Sequence, residues 1–528
     1  MLLSLTVVGA TRQSFTKTLA VTDADAATVV ASAWVPAAPP GLPTAEISAD
    51  PRRPGLLYVT LEGLWLGTPA ARDEAFHYLG ALVRALADAA HRAGGALHAP
   101  GVRLSGSSPP AAGDPHTLYV TDRAEQEVLV NLLRRHSPAL IALCGRGAIG
   151  TLPDRVGSRW LADSREHLTT RYLASADPRH LDHVRADIRR RDGIADLTRM
   201  DIAPLAENAD RPAAVLVRCL DAQLSLTDLR AQALLLAALA LYARRKVRSG
   251  NREGPIPQAT LEKNRARAVT QGLRAQFLQE SGRGAKPADP VPARESVRRL
   301  LDELLLPLGR LEATAEELAP LLVPVEGPST GLPPTRSQDL LAAAAGRGPH
   351  ELAATADLLL HDSRPGGLLL ESLRQEAPGR VELLLGSWTQ RLALAELPRQ
   401  SGSGGRRRQG GEDRGAKRPR AGADRGAGSG GSGKGQGGSG KGRGGGASGR
   451  AGQDRHGSSR RERTGQDRER SRPRQEGAGA GRQGEHGARG GSGDRGGTTA
   501  RPDPQRGQGS GGAAAQERRT PRTGGSES

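Results

Sequence analysis

Aromatic side chains are scarce in this 528-residue chain, which has four Trp, five Tyr and three Phe, or 2% of its residues. Any core it builds must therefore be mainly aliphatic. Cysteine is scarcer still. Cys144 and Cys219 are too few for a disulfide framework or a Cys-based zinc site, and they suit a reducing compartment. Both lie in apolar runs and read as small core residues. Long hydrophobic runs are missing as well. The longest, Ala231 to Ala243, spans about 13 residues and is broken by Gln232, whereas a membrane span needs about 20. The opening MLLSLTVVGA has no basic n-region and no clear cleavage site, so it reads as a first strand rather than a signal peptide. Together these absences lead us to expect a cytoplasmic protein without a membrane partner.

One more absence divides the chain. From Ser401 to Ser528 there is no Leu, Ile, Val, Phe, Tyr or Trp, while 40 of the 70 glycines fall there. A segment with nothing apolar to bury cannot offset the roughly 1–2 kcal/mol per residue of backbone entropy that folding costs. The composition predicts a disordered tail over residues 397–528. Charge follows the same boundary: the chain carries +18 and the stretch from Ser401 carries +15, which leaves +3 for the head.

What is present in the head is Leu-, Ala- and Val-rich sequence, enough for one large domain or two smaller ones. Met1–Ala10 and Thr16–Val21 read as strands around a short polar break, the pattern of a hairpin. Ala37–Pro54 reads as loop. In Gly55–Leu66, Leu57, Val59 and Leu61 alternate with Tyr58, Thr60 and Glu62, the period-2 signature of a strand. A long amphipathic helix over residues 70–93 stops at Gly94-Gly95. Further strands are expected at His116–Thr121 and Val215–Leu220. Helices are expected at 123–135, running on through Ser137–Cys144 towards a Gly-rich turn at 145–150. More are expected at 226–247, 261–279, 295–308, 315–322 and 338–360, whereas Arg380–Ala395 alternates weakly. Short strands between long helices without a βαβ repeat give an α+β fold, an antiparallel sheet with helices packed on one face. The expected division is a domain over 1–310, a helical C-terminal extension of the head over 311–396, and the tail.

No Walker loop, GxSxG, HExxH or strand-following GxGxxG occurs. Four segments taken in order are more informative. They are Ser137-Pro138-Ala139-Leu140-Ile141-Ala142-Leu143 with Gly157-Ser158-Arg159; Met200-Asp201-Ile202-Ala203-Pro204; Val215-Leu216-Val217-Arg218-Cys219-Leu220-Asp221; and Glu262-Lys263-Asn264-Arg265-Ala266-Arg267-Ala268 with Gln271-Gly272-Leu273. In order and spacing, across roughly residues 55 to 310, the chain resembles the glutamate–cysteine ligase family of the bacterial and plant type. These are carboxylate–amine ligases with a glutamine-synthetase-like fold. The segments are similar to that family's apolar helix and Ser-Arg turn, its Trp-Asp-Val-Arg-Pro, its Val-Glu-Ile-Arg-x-x-Asp strand and its Glu-Asn-Arg-x-x-Ala…Gly-Leu helix.

The resemblance implies ATP-dependent amide-bond formation between a small-molecule carboxylate and an amine, with ATP and Mg²⁺ as cofactors. Such a site needs clustered oxygen ligands for magnesium and arginines for phosphate. It implies Glu62 as a metal-binding carboxylate, Arg159 and Arg218 as catalytic arginines, and Ser158 with Arg159 as cofactor-binding. Other positions depart from the pattern. The family's Glu-x-Glu falls on Val8-Gly9-Ala10-Thr11-Arg12-Gln13, and its His-Val-His-Val on Thr117-Leu118-Tyr119-Val120. Its strand Glu is Leu216 and its Arg before Pro is Ala203. These departures imply weakened or absent activity. Plainer accounts stand beside each residue: a solvated strand carboxylate for Glu62, structural ion pairs for Arg159 and Arg218, and, for His116 just before the lost His pair, an ordinary loop histidine beside the alternative of a stand-in metal ligand.

The tail carries Arg406-Arg407-Arg408, Lys417-Arg418-Pro419-Arg420 and RGG elements at Arg443, Arg489 and Arg495. Such clusters bind nucleic-acid phosphates through counterion release, without sequence readout. Two readings follow, a divergent ligase and a non-catalytic scaffold whose basic tail binds nucleic acid or another polyanion. A solubilising linker is the plain alternative for the tail.

Overall fold

The computed structural model describes residues 11–102, 111–146, 157–163, 168–208, 212–279 and 289–396, all within one unit, Met1–Gly411. The expected first strand at Met1–Ala10 and the tail clusters Arg406–Arg408, Lys417–Arg420 and Arg443 lie outside the described residues.

Among the described residues the head is built on a seven-stranded sheet whose named strands pair antiparallel throughout. In chain order the strands are β1 (Arg12–Thr22), β2 (Glu46–Ala49), β3 (Leu56–Trp65), β4 (Ala96–His98), β5 (His116–Tyr119), β6 (Ile202–Leu205) and β7 (Ala214–Val217). In space they run β2-β3-β1-β5-β7-β6, with β4 also paired to β1. The alternation read in Leu57, Val59 and Leu61 is the buried face of β3.

Helices cover that face. After the short α1 (Ala26–Ser32), α2 (Pro69–Arg92) packs Phe76, Leu79, Leu82 and Val83 against Phe15, Leu19 and Val59. The helix α3 (Arg123–Cys144) lies against Leu118, Val215 and Val217. Beyond α4 (Arg159–Asp163) and α5 (Pro178–Asp192), the central α6 (Leu226–Arg248) packs Leu226 and Leu229 into the core under α2 and Leu234 and Leu235 into the core under α3. It is long and apolar enough to cross a membrane, but 94% of its apolar window is buried inside the head. Next come α7 (Gln258–Gln271), α8 (Ala293–Glu303), α9 (Leu305–Arg310) and α10 (Ala315–Glu326). Four helices follow: α11 (Ser337–Arg347), α12 (Pro349–His361), α13 (Gly367–Glu376) and α14 (Pro378–Glu396).

Several expectations need correction. The polar break before Thr16 is not a turn. Gln13, Ser14 and Phe15 belong to β1, pairing with both β3 and β5 across a register shift. Two neighbouring strands satisfy the backbone there, whatever the side-chain polarity. The stretch 37–54 contains β2, recruited as an edge strand by the outer ladder of β3. The helix read as 261–279 ends at Gln271, because Gly272 turns the chain at φ +56° into the strand Gln276–Phe277. The helix read as 338–360 is two helices, broken at Gly348 with φ +132°. The weakly alternating 380–395 is α14, held by Trp388, Leu384 and Leu392 in the core.

Candidate active-site basin

The sheet face away from α2, α3 and α6 forms a basin of about 410 Å³. Alternation supplies its floor: Ser14 and Thr16 from β1, Tyr58, Thr60 and Glu62 from β3, and Thr117, Tyr119 and Leu216 from β5 and β7. Residues two apart on a strand share a face, so one hydrogen-bonded register brings these together from segments up to 200 residues apart. The floor hydroxyls pair across strands. Ser14 Oγ lies 3.0 Å from the Tyr119 hydroxyl, and Thr16 Oγ1 lies 2.9 Å from Thr60 Oγ1.

Arg53 and Trp160 form one wall. The Arg53 guanidinium stacks over the Trp160 ring, 5.4 Å from its centroid, while donating to Asp50 at 2.8 Å and to the Tyr58 hydroxyl at 2.6 Å. The Trp160 indole donates at 3.0 Å to the Arg218 carbonyl, so Arg53, Trp160 and Arg218 form one contiguous end. Gly113 makes this packing feasible, since a Cβ there would meet the Leu220 carbonyl at 2.6 Å and Trp160 Nε1 at 3.0 Å. The adjoining rim is pinned from beneath by a fully buried ion pair. Lys17 Nζ reaches Asp114 at 3.1 Å and the Gln223 carbonyl at 2.8 Å, and Asp114 also accepts from the Thr18 and Gln223 amides.

Among the residues expected from sequence, Glu62 and Arg218 line the basin together, Glu62 exposed and Arg218 half-buried. Arg159, the first residue of α4, and Ser158 are not in its lining. Ser158 instead caps α4, its hydroxyl donating to Asp221 and accepting the Leu161 amide at 3.1 Å. His116 is no loop residue. It is buried in β5 beside Phe15, with Nε2 3.1 Å from the Gln232 amide nitrogen, and burial pushes its pKa down to about 3. Sequence reading missed Arg53, in a loop without a motif, and Trp160, which directly follows the Gly157-Ser158-Arg159 segment in a short helix.

The motif residues that match the ligase pattern pin the framework. Arg265 of α7 makes a buried ion pair with Asp201, whose other oxygen accepts the Thr170 amide and hydroxyl at 3.0 and 2.7 Å. Asn264 bonds both ways with the backbone of Leu278, at 2.9 and 2.7 Å. Asp221 accepts from Ser158 Oγ and from the amides of Arg146 (2.6 Å) and Arg159 (3.1 Å), clamping the ends of α3 and α4.

Burial nevertheless pushes the Asp221 carboxyl up to about 6, against the pull of those donors and of the nearby Arg146. A carboxyl with a folded pKa above its unfolded value near 3.9 adds stability when protonated and loses that contribution as pH rises through the folded pKa. Relative to Asp221→Asn, the wild-type head should therefore lose stability between about pH 4 and 6 and hold a constant difference above that. Urea unfolding of both proteins across this range checks it; a wild-type curve that rises relative to the variant would mean the three donors outweigh burial.

A multi-magnesium ATP site does not fit this donor set. Magnesium needs clustered oxygen ligands, commonly carboxylates. Among the described residues the basin lining holds one carboxylate, Glu62, and no group of three His, Cys, Asp or Glu could hold a metal ion.

No family model and no curated protein matches the chain. Solved structures give loose likenesses. A complex of the prokaryotic ubiquitin-like protein Pup with its ligase PafA is 12% identical, covering 74% of this chain and 80% of that one at a TM-score of 0.39. Glutamate–cysteine ligase from Francisella tularensis in complex with AMP is 11% identical, covering 73% and 97% at 0.39. A glutamine synthase homolog is 15% identical, covering 63% and 70% at 0.30. At these TM-scores the likenesses carry no conclusion about this chain.

Proposed function

We propose that the head is a divergent carboxylate–amine ligase-like protein that keeps the framework as a binding scaffold and has weakened or lost magnesium–ATP chemistry. One observation carries this reading. Ala203, Leu216, Thr117 and Tyr119 stand where the resembled family has charged or metal-binding groups. The first three are successive register partners across β6, β7 and β5, and Tyr119 lies two residues along β5 on the same face. None of the four carries a charge, and three of them, Leu216, Thr117 and Tyr119, line the basin, with Ala203 buried beside Leu216. The matched residues Asp201, Asp221, Asn264 and Arg265 make buried framework bonds instead.

Calorimetric titration of the protein with Mg·ATP tests it. The expected dissociation constant is far weaker than micromolar, where 1 μM corresponds to about −8 kcal/mol. Low-micromolar binding would restore the enzyme reading, with ATP activating a carboxylate for attack by an amine. A second reading rests on composition alone: the +15 carried from Ser401 onward suits a polyanion such as nucleic acid.

A further inference from the structure

The basin is poor in charge but rich in hydroxyls. We propose that it binds, without a divalent cation, a monosaccharide-sized polyol bearing one oxyanionic group, a sugar phosphate or sugar acid. This rests on the scaffold reading above and adds the ligand class.

The two ends of the basin differ. Arg53, Trp160 and Arg218 gather at the Tyr58 end of β3, where the Arg53 guanidinium lies over the Trp160 ring and the indole donates to the Arg218 carbonyl. Glu62 lies four residues along the same strand, roughly 14 Å away at about 3.4 Å per residue. Between them lie the Thr16–Thr60 and Ser14–Tyr119 pairs and Thr117.

A hydroxyl has one hydrogen and two lone pairs. Each mutually bonded pair uses one of its two hydrogens internally, which leaves the other hydrogen and further lone pairs, although one Ser14 lone pair already accepts the Gly63 amide at 2.9 Å. Such a floor offers a donor and an acceptor side by side, and the group that satisfies both at once is another hydroxyl. A bare anion would use only the donors, and an apolar ring would leave the whole floor unpaired at a cost. Guanidinium forks match the planar or tetrahedral oxygens of carboxylate or phosphate. The Trp160 and Tyr58 rings supply the apolar wall that a small-molecule pocket needs. In a chain with twelve aromatic residues, Tyr58, Tyr119 and Trp160 all line this one cavity. Its 410 Å³ lies in the range of small-ligand sites.

The test titrates the full-length protein, in EDTA and roughly 0.3 M NaCl to screen the charge of residues 401–528, with glucose 6-phosphate, glucuronate, glucose and inorganic phosphate. Calorimetry and tryptophan fluorescence give the readout. One of the two anionic sugars should bind at least tenfold more tightly than either glucose or phosphate, with no gain on adding Mg²⁺; which one binds identifies phosphate or carboxylate as the oxyanion. Arg218→Gln should weaken that ligand at least tenfold. Thr60→Val removes one hydroxyl with little change of shape on a strand that tolerates β-branching. It should weaken the sugar ligand and leave phosphate unchanged, and it decides the matter if Arg218→Gln does not fold. The proposal is overturned if neither anionic sugar binds below about 10 mM, if phosphate matches the sugar phosphate, or if Thr60→Val leaves sugar affinity intact. Weak Mg·ATP binding together with no sugar binding would remove this inference and leave the scaffold reading standing.

Discussion

Glu317→Ala should cost the head about 3–5 kcal/mol, the usual penalty for breaking a buried ion pair and stranding its partner. Here two partners are stranded. Arg72 of α2 grips the Glu317 carboxylate with both arms of its fork, at 2.6 and 2.8 Å, and Arg230 of α6 reaches the same group at 2.9 Å. All three side chains are at most 2% exposed. The carboxylate also accepts the Thr314 amide at 3.0 Å, closing the capping box that starts α10. One side chain thus ties the helix covering the sheet to the central helix and to the C-terminal helices. Without it, Arg72 keeps the carbonyls of Leu66 and Leu311, and Arg230 keeps the exposed Asp73, but both lose their buried counter-charge.

Burial raises the Glu317 pKa, but Arg72 and Arg230 outweigh it and hold the carboxyl below its ordinary value. Its contribution is then complete above the unfolded pKa and fades as pH falls through the folded one. Urea unfolding at neutral pH measures the loss. The exposed pair Arg185–Asp182 serves as control, since Asp182→Ala should cost well under about 1 kcal/mol. If Glu317→Ala costs no more than that control, the network is not what joins these helices.

The second large effect concerns the tail. If the +15 carried from Ser401 onward binds duplex DNA, affinity should fall with a slope near −0.9 in log K per log salt for each phosphate neutralised. Six to ten contacts would lose about 10³–10⁵-fold between 50 and 200 mM salt. Sequence preference should be slight, because the tail has no aromatic to stack on a base. Removing residues 401–528 should abolish binding while leaving the thermal midpoint of the head nearly unchanged. Fluorescence anisotropy of both proteins at several salt concentrations measures this. Equal affinity of the truncated protein would make the tail a passive linker.

Sequence by itself determined the division of charge and apolar content at about residue 400, because burying nothing is a property of composition. It also determined that Leu57, Val59 and Leu61 face the core, and that a helix stops near Gly94, because a two-residue or 3.6-residue period and a glycine turn act locally. It placed Glu62 and Arg218 as candidates, through the order of segments rather than any single motif.

Tertiary structure decided the rest. Whether Ser158 would meet a ligand or a buried carboxylate depended on Asp221, 63 positions away, arriving beside it. Arg53 and Trp160 became basin residues because Gly113 leaves room for the indole against the end of the sheet. Ala203, Leu216 and Thr117 look unrelated in a linear chain and become neighbours through the ladder β6-β7-β5. The physical reason is that a strand's period tells which residues share a face. Which face the helices cover, and which is left as a basin, is settled only when distant elements compete to bury their apolar sides.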